Sequence, residues 1–325
     1  MNRILLLPFL LLPLAACQTL QHIAPKRAGA NPVLIGRLLA GAYDNHEQVW
    51  SARGAAAAAP HVVVVLEETR DPEWSVWHVH YEATPALDAG WAMQRIDAGN
   101  GAQALLPHRA VVATPATGAA FDAKQWTPLA ACTLHGSVTS TQVRVAADVA
   151  ACAAIIPGIG SDAALLPLAI EREGEWLHLR LYADQARGAD VREDARKVET
   201  YTGWAAVNGS GPQGAGSGND WHMNKTIRLG SEGSRTALAW RDGKPSGYSL
   251  GLERLTYREG NVPVLKLSVF DDATGGTLAY AWANPEATRI GINLGWVQVG
   301  LDRAGMLPAD VSAVHAAQAG APTKP

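Results

Sequence analysis

Three polar side chains alternate with large apolar ones in a predicted strand over residues 74–82. His78, His80 and Glu82 occupy every second position, so a strand places them on one face. Two imidazoles and a carboxylate at that spacing are ligands that Zn²⁺ accepts. In the alternative interpretation, the apolar face packs in a core and the polar face meets solvent. The second interpretation is favoured, and no metal site is assigned.

Arg95 stands in an otherwise apolar strand predicted over residues 91–96. A buried guanidinium requires a carboxylate or an anionic ligand, because its planar fork of donors must be satisfied. An outward-facing, solvated arginine is the alternative. Further along, Asp184 and Asp190 flank a glycine after a predicted strand, where a carboxylate would lie either at the mouth of a barrel or in solvent.

Several established catalytic motifs are absent from the sequence. It contains no nucleophile elbow, no Walker loop, no His-Glu-x-x-His helix and no paired zinc-type cysteines. The formal net charge of -3 leaves no basic excess for neutralising phosphates, which argues against nucleic acid as a partner. Hydrolase chemistry of these types therefore has no support, and no cofactor is predicted.

The N-terminus has the pattern of a bacterial lipoprotein signal. A basic residue precedes an apolar run over residues 4–14, which is too short to span a bilayer, and the small residues before Cys17 resemble a lipobox. Residues 1–17 are therefore predicted to be a signal peptide, with Cys17 as the lipidated first residue of the mature chain and 18–30 as a tether. Gln18 after the cysteine favours the periplasmic face of the outer membrane. An ordinary secretory signal is the alternative.

The remaining cysteines form an even pair. If Cys17 carries lipid, Cys132 and Cys152 are left in an oxidising compartment, which predicts a disulfide worth roughly 3 kcal/mol. Their spacing fits no zinc pattern, and no thiol remains for nucleophilic catalysis.

Short strand patterns dominate the first two thirds of the chain, whose overall apolar content of 48% supports a sizeable core. Asn31 and Pro32 predict the start of a helix that includes residues 39–50. After it, strands are predicted over residues 61–66, 74–82, 91–96, 109–114, 126–132, 142–145, 165–171 and 175–182. Because no βαβ rhythm interrupts them, the predicted fold is mainly β, an antiparallel barrel or sandwich.

The last third predicts a second antiparallel β unit. Its strands are predicted over residues 225–229, 236–240, 247–257, 263–270, 277–283 and 290–301, with turns at 241–244 and 271–276. The Gly/Ser-rich residues 208–219 predict a linker. The first domain then covers residues 31–207, and 220–305 forms either a separate domain or an extension of the first barrel. Residues 306–325 are expected to be a flexible tail.

The order of several short motifs resembles the CpcT/CpeT family of chromophore lyases over about residues 31–204. The matching positions are Gly41, Tyr43, Asp44, Asn45 and Gln48, then Tyr81-Glu82, then Gln94-Arg95-Ile96, then Leu129 and Cys132, then Cys152. Proteins of that family attach phycobilins to cysteines of phycobiliproteins. Their fold is a lipocalin-like antiparallel β-barrel, or calyx, and the resemblance implies the same fold with an N-terminal helix here.

The resemblance implies a hydrophobic or tetrapyrrole-like ligand inside the calyx. Glu82 is then a candidate proton donor, and Arg95 is a candidate partner for a propionate. Further ligand contacts are expected from Asn45, Gln48, His80, Tyr81 and Arg180. Asn45 and Gln48 are expected first of all to fasten the helix to the barrel through hydrogen bonds.

An inward-facing Glu82 would have a structural consequence. His78 and His80 would then face inward as well, and the opposite face of the strand would need a cover. Either the C-terminal β unit or a second copy in a homodimer would provide it.

Two functions therefore stay open. The first is a bilin lyase. The second is a non-catalytic, lipocalin-like envelope lipoprotein that stores or transports a ligand or supports the envelope. A cytoplasmic bilin lyase needs neither a lipobox, nor a periplasmic address, nor the extra β unit. The chain could therefore share the family's fold without its chemistry, because a fold does not imply a function.

Overall fold

The computed structural model describes residues 35–53, 60–82, 86–99, 102–188, 191–214, 218–257 and 262–305. The predicted signal peptide with Cys17, the tether and the tail at 306–325 lie outside the described residues. Within the described ranges, no helix combines the length and the apolar character needed to cross a bilayer.

Ten described strands close into an antiparallel barrel, which confirms the mainly β fold. The sheet contains β1 (Gly41–Asp44), β2 (His61–Glu68), β3 (Trp74–Glu82), β4 (Leu87–Gly99), β5 (Ala102–Ala110), β6 (Trp126–Pro128), β7 (Leu134–Val138), β8 (Gln142–Ala147), β9 (Pro167–Glu173), β10 (Trp176–Leu181) and β11 (Glu193–Lys197). Neighbours follow chain order except that β5 pairs directly with β7, and β11 returns to β1. β6 adds to β5 outside the closed ring.

Short helices connect the strands of both units. The α-helices are α1 (Ile35–Leu39), α2 (His46–Ser51), α3 (Val149–Ala153) and α4 (Gly211–Gly214). The 3₁₀ helices are η1 (Gly118–Ala120), η2 (Ala123–Gln125), η3 (Ala130–Cys132), η4 (Ile156–Gly158), η5 (Ser161–Leu165) and η6 (Tyr182–Arg187).

The prediction of a single N-terminal helix through residues 39–50 is wrong. The segment forms α1, then β1, then α2, because β1 pairs with β2 on one side and β11 on the other. Gly41 begins the strand with a φ of 138°, a value that L side chains rarely adopt. The strand buries Tyr43 completely in the barrel. Tertiary pairing thus overrides the local helical pattern.

Side chains fill the interior of the barrel. The core cluster contains residues from almost every strand. It includes Trp77, Trp91, Tyr43, Leu134 and Leu179, each 0% exposed. Leu39 of α1 belongs to the same cluster. The described barrel therefore has a packed core in place of the open calyx expected by resemblance.

The second unit consists of two four-stranded sheets packed around their own core. One sheet contains β12 (Thr200–Asn208), β13 (Trp221–Gly230), β18 (Arg289–Asn293) and β19 (Val297–Arg303). The other contains β14 (Glu232–Ala239), β15 (Pro245–Leu255), β16 (Val264–Asp271) and β17 (Thr277–Ala283). β12 lies in the middle of its sheet, so the change of sheet falls between residues 197 and 200. The Gly-rich segment 208–219 consequently joins β12 to β13 within one sheet and does not separate two domains.

Buried charges join the barrel to this second unit. Arg196 of β11 and Arg254 of β15 both donate to the carboxylate of Glu232, at distances from 2.8 to 3.2 Å. Arg196 also donates to Glu47 of α2 at 2.6 Å, and Arg254 to Glu175 at 2.9 Å. We call Arg196, Glu232 and Arg254 the junction triad. Its charges satisfy one another, as buried ionic groups must.

Candidate functional site

An open groove of about 680 Å³ runs across the outer face of β7 to β10. Its floor contains the small residues Gly136, Ala146 and Ala169, whereas longer side chains rise at its sides. Inward-facing leucines of β10 alternate with outward-facing polar residues, which is why this face carries the charge. The groove is thus a shallow apolar surface with charged edges.

Gly136 is required for the shape of that floor. A Cβ added there would lie 2.1 Å from the backbone oxygen of Arg144 on the neighbouring strand. A side chain would therefore push β7 and β8 apart.

Most charges at the edges of the groove are paired. Arg144 donates to Glu171 through two nitrogens, and this contact lowers the pKa of Glu171 below its usual range. The Asp194 carboxylate is hydrogen-bonded to His178 Nδ1 at 2.5 Å and lies 2.9 Å from Arg192 Nε. These pairs leave little net charge at their positions.

Arg180 differs from its neighbours in the groove. Its Nε is buried and has no hydrogen-bond partner among the described residues, and that part of the chain places no carboxylate within ion-pair distance of it. Buried polar groups normally have partners. The guanidinium is therefore available to an anionic group that enters the groove.

A second polar cluster lies at one end of the barrel interior, around Asn45. The Asn45 amide donates to Gln48 Oε1 at 3.0 Å, to the Pro60 carbonyl at 2.8 Å and to Glu193 at 2.9 Å. Its oxygen accepts from the Val62 backbone at 2.7 Å. These bonds connect the start of α2 to β2 and β11.

Gln48 extends the same connection. Its amide donates to the Arg192 carbonyl at 2.9 Å, and its oxygen accepts from the Asp194 backbone at 3.1 Å. Asn45 and Gln48 therefore contact backbone and side chains of the barrel, in the structural role for which the resemblance suggested them.

Two buried carboxyls face each other beside Asn45. Glu193 and Asp184 both accept from Arg187 Nη1, at 2.5 and 3.1 Å, and Asp184 also accepts from the Leu181 backbone. Burial raises the pKa of Glu193 to about 7, with repulsion from Asp184 adding to the shift and Arg187 opposing it. Burial and the charge of Asp184 also raise the pKa of Tyr81, which faces this cluster. Glu193 can therefore gain or lose a proton near neutrality.

Glu82 does not face the barrel interior, contrary to the expectation from resemblance. Trp77 and Tyr81 occupy the core face of β3, so Glu82 projects outward with a side chain 42% exposed. It lies 3.2 Å from His61. Burial disfavours the charged His61 ring, but bonding to Asp44 and the charge of Glu82 outweigh it and raise the pKa of His61 to about 9.

Arg95 is far from Glu82. It lies near the other end of the β3–β4 pair, where its backbone nitrogen donates to the Glu73 carbonyl at 2.7 Å. Because Arg95 lies opposite Glu73, nine residue steps along the strands separate it from Glu82, or about 31 Å at 3.4 Å per residue. Arg95 shares its face with the core residues Trp91 and Met93 and is half-buried. The structure does not bring the two predicted catalytic residues together.

His80 also lies on the outer face of β3. Its Nδ1 is 2.5 Å from Asp88, and its Nε2 is 3.9 Å from Glu82. The described residues contain no group of three or more His, Cys, Asp or Glu side chains arranged to hold a metal ion.

The predicted disulfide is confirmed. Cys132 of η3 and Cys152 of α3 form a bond of 1.94 Å, and both side chains belong to the barrel core. The bond holds the two short helices against each other.

Sequence reasoning named Arg180 but not the groove around it. Alternation in β8, β9 and β10 was a usable signal, because it places Arg144, Glu171, His178 and Arg180 on outer faces. Glu193 and Arg187 were missed, since only the return of β11 to β1 brings them to Asn45. Comparison of the chain with family models, with curated proteins and with solved structures gives no match.

Proposed function

We propose that this protein binds an amphipathic, anionic small molecule in the outer groove of its barrel and catalyses no reaction on it. The observation that carries the proposal is Arg180, a partly buried guanidinium without a partner among the described residues, beside an apolar floor. A ligand with a carboxylate at one end and a flat apolar body matches both features. By the CpcT/CpeT resemblance, a bilin-like tetrapyrrole with propionates is the first candidate.

The positions of the residues favour binding over lyase chemistry. β9, at the centre of the groove, is five strands from β3 in either direction around the ring of ten. Glu82, the proton donor suggested by the resemblance, therefore lies on the opposite side of the barrel from Arg180. A lipocalin-like role in ligand storage or transport does not need such a donor.

Biliverdin, which carries two propionates, is a suitable first probe. Its absorbance and induced circular dichroism should change on addition of the protein. Arg180→Ala should weaken binding about tenfold to hundredfold, because a hydrogen bond to a charged group contributes about 1.5–3 kcal/mol. The matched control is Arg289→Ala, since Arg289 has a side chain 79% exposed on β18 in the second unit.

Unchanged spectra with the native protein, or equal affinity of Arg180→Ala and native protein, would refute the groove as the site. Covalent transfer of the chromophore to a client thiol would point to the lyase alternative instead. Palmitate, a ligand with one carboxylate and no rings, tests how far the groove depends on a flat body.

We further propose that Cys17 carries lipid and holds the protein at the periplasmic face of the outer membrane. The support is the lipobox-like sequence before Cys17 and Gln18 after it. Metabolic labelling with a palmitate analogue should mark the native protein but not Cys17→Ser, which should leave the membrane fraction. Retention of the variant in the membrane fraction would contradict the proposal.

A further inference from the structure

An exposed row of aromatic rings lies on the outer face of β17, the edge strand of its sheet. Strand alternation turns the alanines of β17 inward and leaves Tyr280 and Trp282 outward, each 57% exposed. Large aromatic side chains exposed together on a surface indicate an interaction site more often than isolated ones do.

The rings form one continuous series. Trp282 stacks against Tyr280 at a centroid distance of 5.5 Å and against Tyr257 at 5.6 Å, and Tyr257 contacts Trp50 edge to face at 5.2 Å. The Lys266 ammonium lies 5.5 and 5.6 Å from the two tyrosine rings. These contacts hold the rings in position before any partner arrives, so binding costs little side-chain entropy.

The charge of the row is balanced. Lys266 Nζ lies 2.9 Å from Glu253, which also contacts His46 at 3.4 Å. Burial opposes ionisation of Glu253, but bonding to His46 and Lys266 outweighs burial and lowers its pKa to about 2, so the carboxylate stays charged. Glu253 thus neutralises the charge of Lys266. Binding to an anionic membrane surface requires unpaired cations, so this row does not favour such a surface as its partner.

A buried hydroxyl lies on the same face of the sheet. Ser268 of β16 is the cross-strand partner of Tyr280, is 1% exposed, and its Oγ has no hydrogen-bond partner among the described residues. Because buried polar groups normally have hydrogen-bond partners, the unsatisfied Ser268 hydroxyl beneath the aromatic rings favours a ligand that has hydroxyl groups.

We propose that the row of Trp50, Tyr257, Trp282 and Tyr280 binds a neutral glycan strand. A sugar ring presents C–H groups on its face and hydroxyls around its rim. The C–H face packs on aromatic rings, whereas the rim finds polar tips in the tyrosine hydroxyls and the Trp282 N–H. A chain of sugars would extend along the series of rings. This site is independent of the groove around Arg180.

The test uses two neutral probes, chitohexaose and cellohexaose, with calorimetry and tryptophan fluorescence. The full native protein should bind at least one of them, and Trp282→Ala should weaken that binding at least about tenfold. The matched control is Trp204→Ala, which removes a tryptophan 41% exposed on β12 and should bind as the native protein does. Arg180→Ala should also bind normally, so that failure of this proposal and failure of the groove proposal can be told apart.

Several results would overturn the proposal. The first is that the native protein binds neither hexasaccharide. The second is that Trp282→Ala binds as tightly as the native protein while its melting temperature is unchanged. Two further results would assign the row differently: binding to phosphatidylcholine vesicles that Trp282→Ala abolishes, or a concentration-dependent dimer that Trp282→Ala abolishes.

Discussion

The junction triad makes a quantitative prediction about stability. Glu232 has a side chain with 0% exposure and lies between Arg196 and Arg254, whose side chains are 1% and 2% exposed. Burial raises the pKa of Glu232, and the charges of both arginines oppose that shift. An intact buried ion pair typically adds little net stability, because the attraction is offset by desolvation. Removal of one member of the triad has a larger effect than the net contribution of the intact triad. Glu232→Gln keeps the shape but removes the fully buried anion that both guanidiniums share and leaves them the more exposed Glu47 and Glu175, which should place the cost near the lower end of about 3–5 kcal/mol.

Urea unfolding at neutral pH, followed by tryptophan fluorescence, measures this loss. The control is Asp302→Asn, which breaks the exposed pair with Arg289, where the side chains are 79% and 61% exposed. That change should cost less than about 1 kcal/mol. If Glu232→Gln unfolds within about 1 kcal/mol of the native protein, then water or movement relieves the two cations and the reasoning fails.

Three further predictions concern the barrel. The pKa of Glu193 rises from 4.5 to about 7 on folding, so its stabilising contribution is complete below pH 4.5 and is lost as pH rises through about 7. Native protein should therefore lose about 3 kcal/mol relative to Glu193→Gln between pH 4.5 and 8 in urea titrations, and a constant difference would count against the shift. Asn45→Ala should lower stability by about 2–3 kcal/mol and reduce the melting temperature, because it leaves buried groups unpaired; unchanged melting would contradict this role. Joint replacement of Cys132 and Cys152 by alanine should cost about 3 kcal/mol in denaturant, for a loop with a sequence separation of 20, and no loss would show that the bond is dispensable.

Alternation predicted β3, which matches residues 74–82, and β10, which lies within one residue of its predicted bounds. β2 was predicted from its β-branched residues, and β2 and β9 lie within a few residues of their predicted bounds, whereas β17 matches 277–283. Alternation in β3 also favoured the interpretation in which the face with Trp77 and Tyr81 packs in the core, and the structure has this arrangement. Only the resemblance favoured turning Glu82 inward. The pattern of burial was thus readable from the residues alone.

Other strands could not be predicted because their own residues do not favour them. β11 contains four charged residues in five, and β7 contains His135 and Gly136, yet both are held by neighbours on each side. The strand predicted at 109–114 is wrong since β5 ends at Ala110, and that predicted at 126–132 ends at Pro128. Pairing between distant segments decides these regions.

The candidate groove shows the same limit. Sequence places Arg144 and Arg180 on outer faces of their strands, but not on adjacent sides of one groove. That relation depends on the register by which β9 joins β8 to β10. The same holds for the Glu193 cluster, whose members come from the start of α2, from β11 and from η6.

The position of β1 has a mechanical consequence. β1 begins at Gly41 and is four residues long; all four residues pair with β2, and Tyr43 and Asp44 also pair with β11. If Cys17 carries the lipid proposed above, a pull from the membrane reaches the barrel through the residues that precede β1, and we consider a load directed along this strand. Such a load shears both ladders at the same time, because their hydrogen bonds lie across the direction of pull. The strand nearest the anchor would then set the force at which the barrel opens.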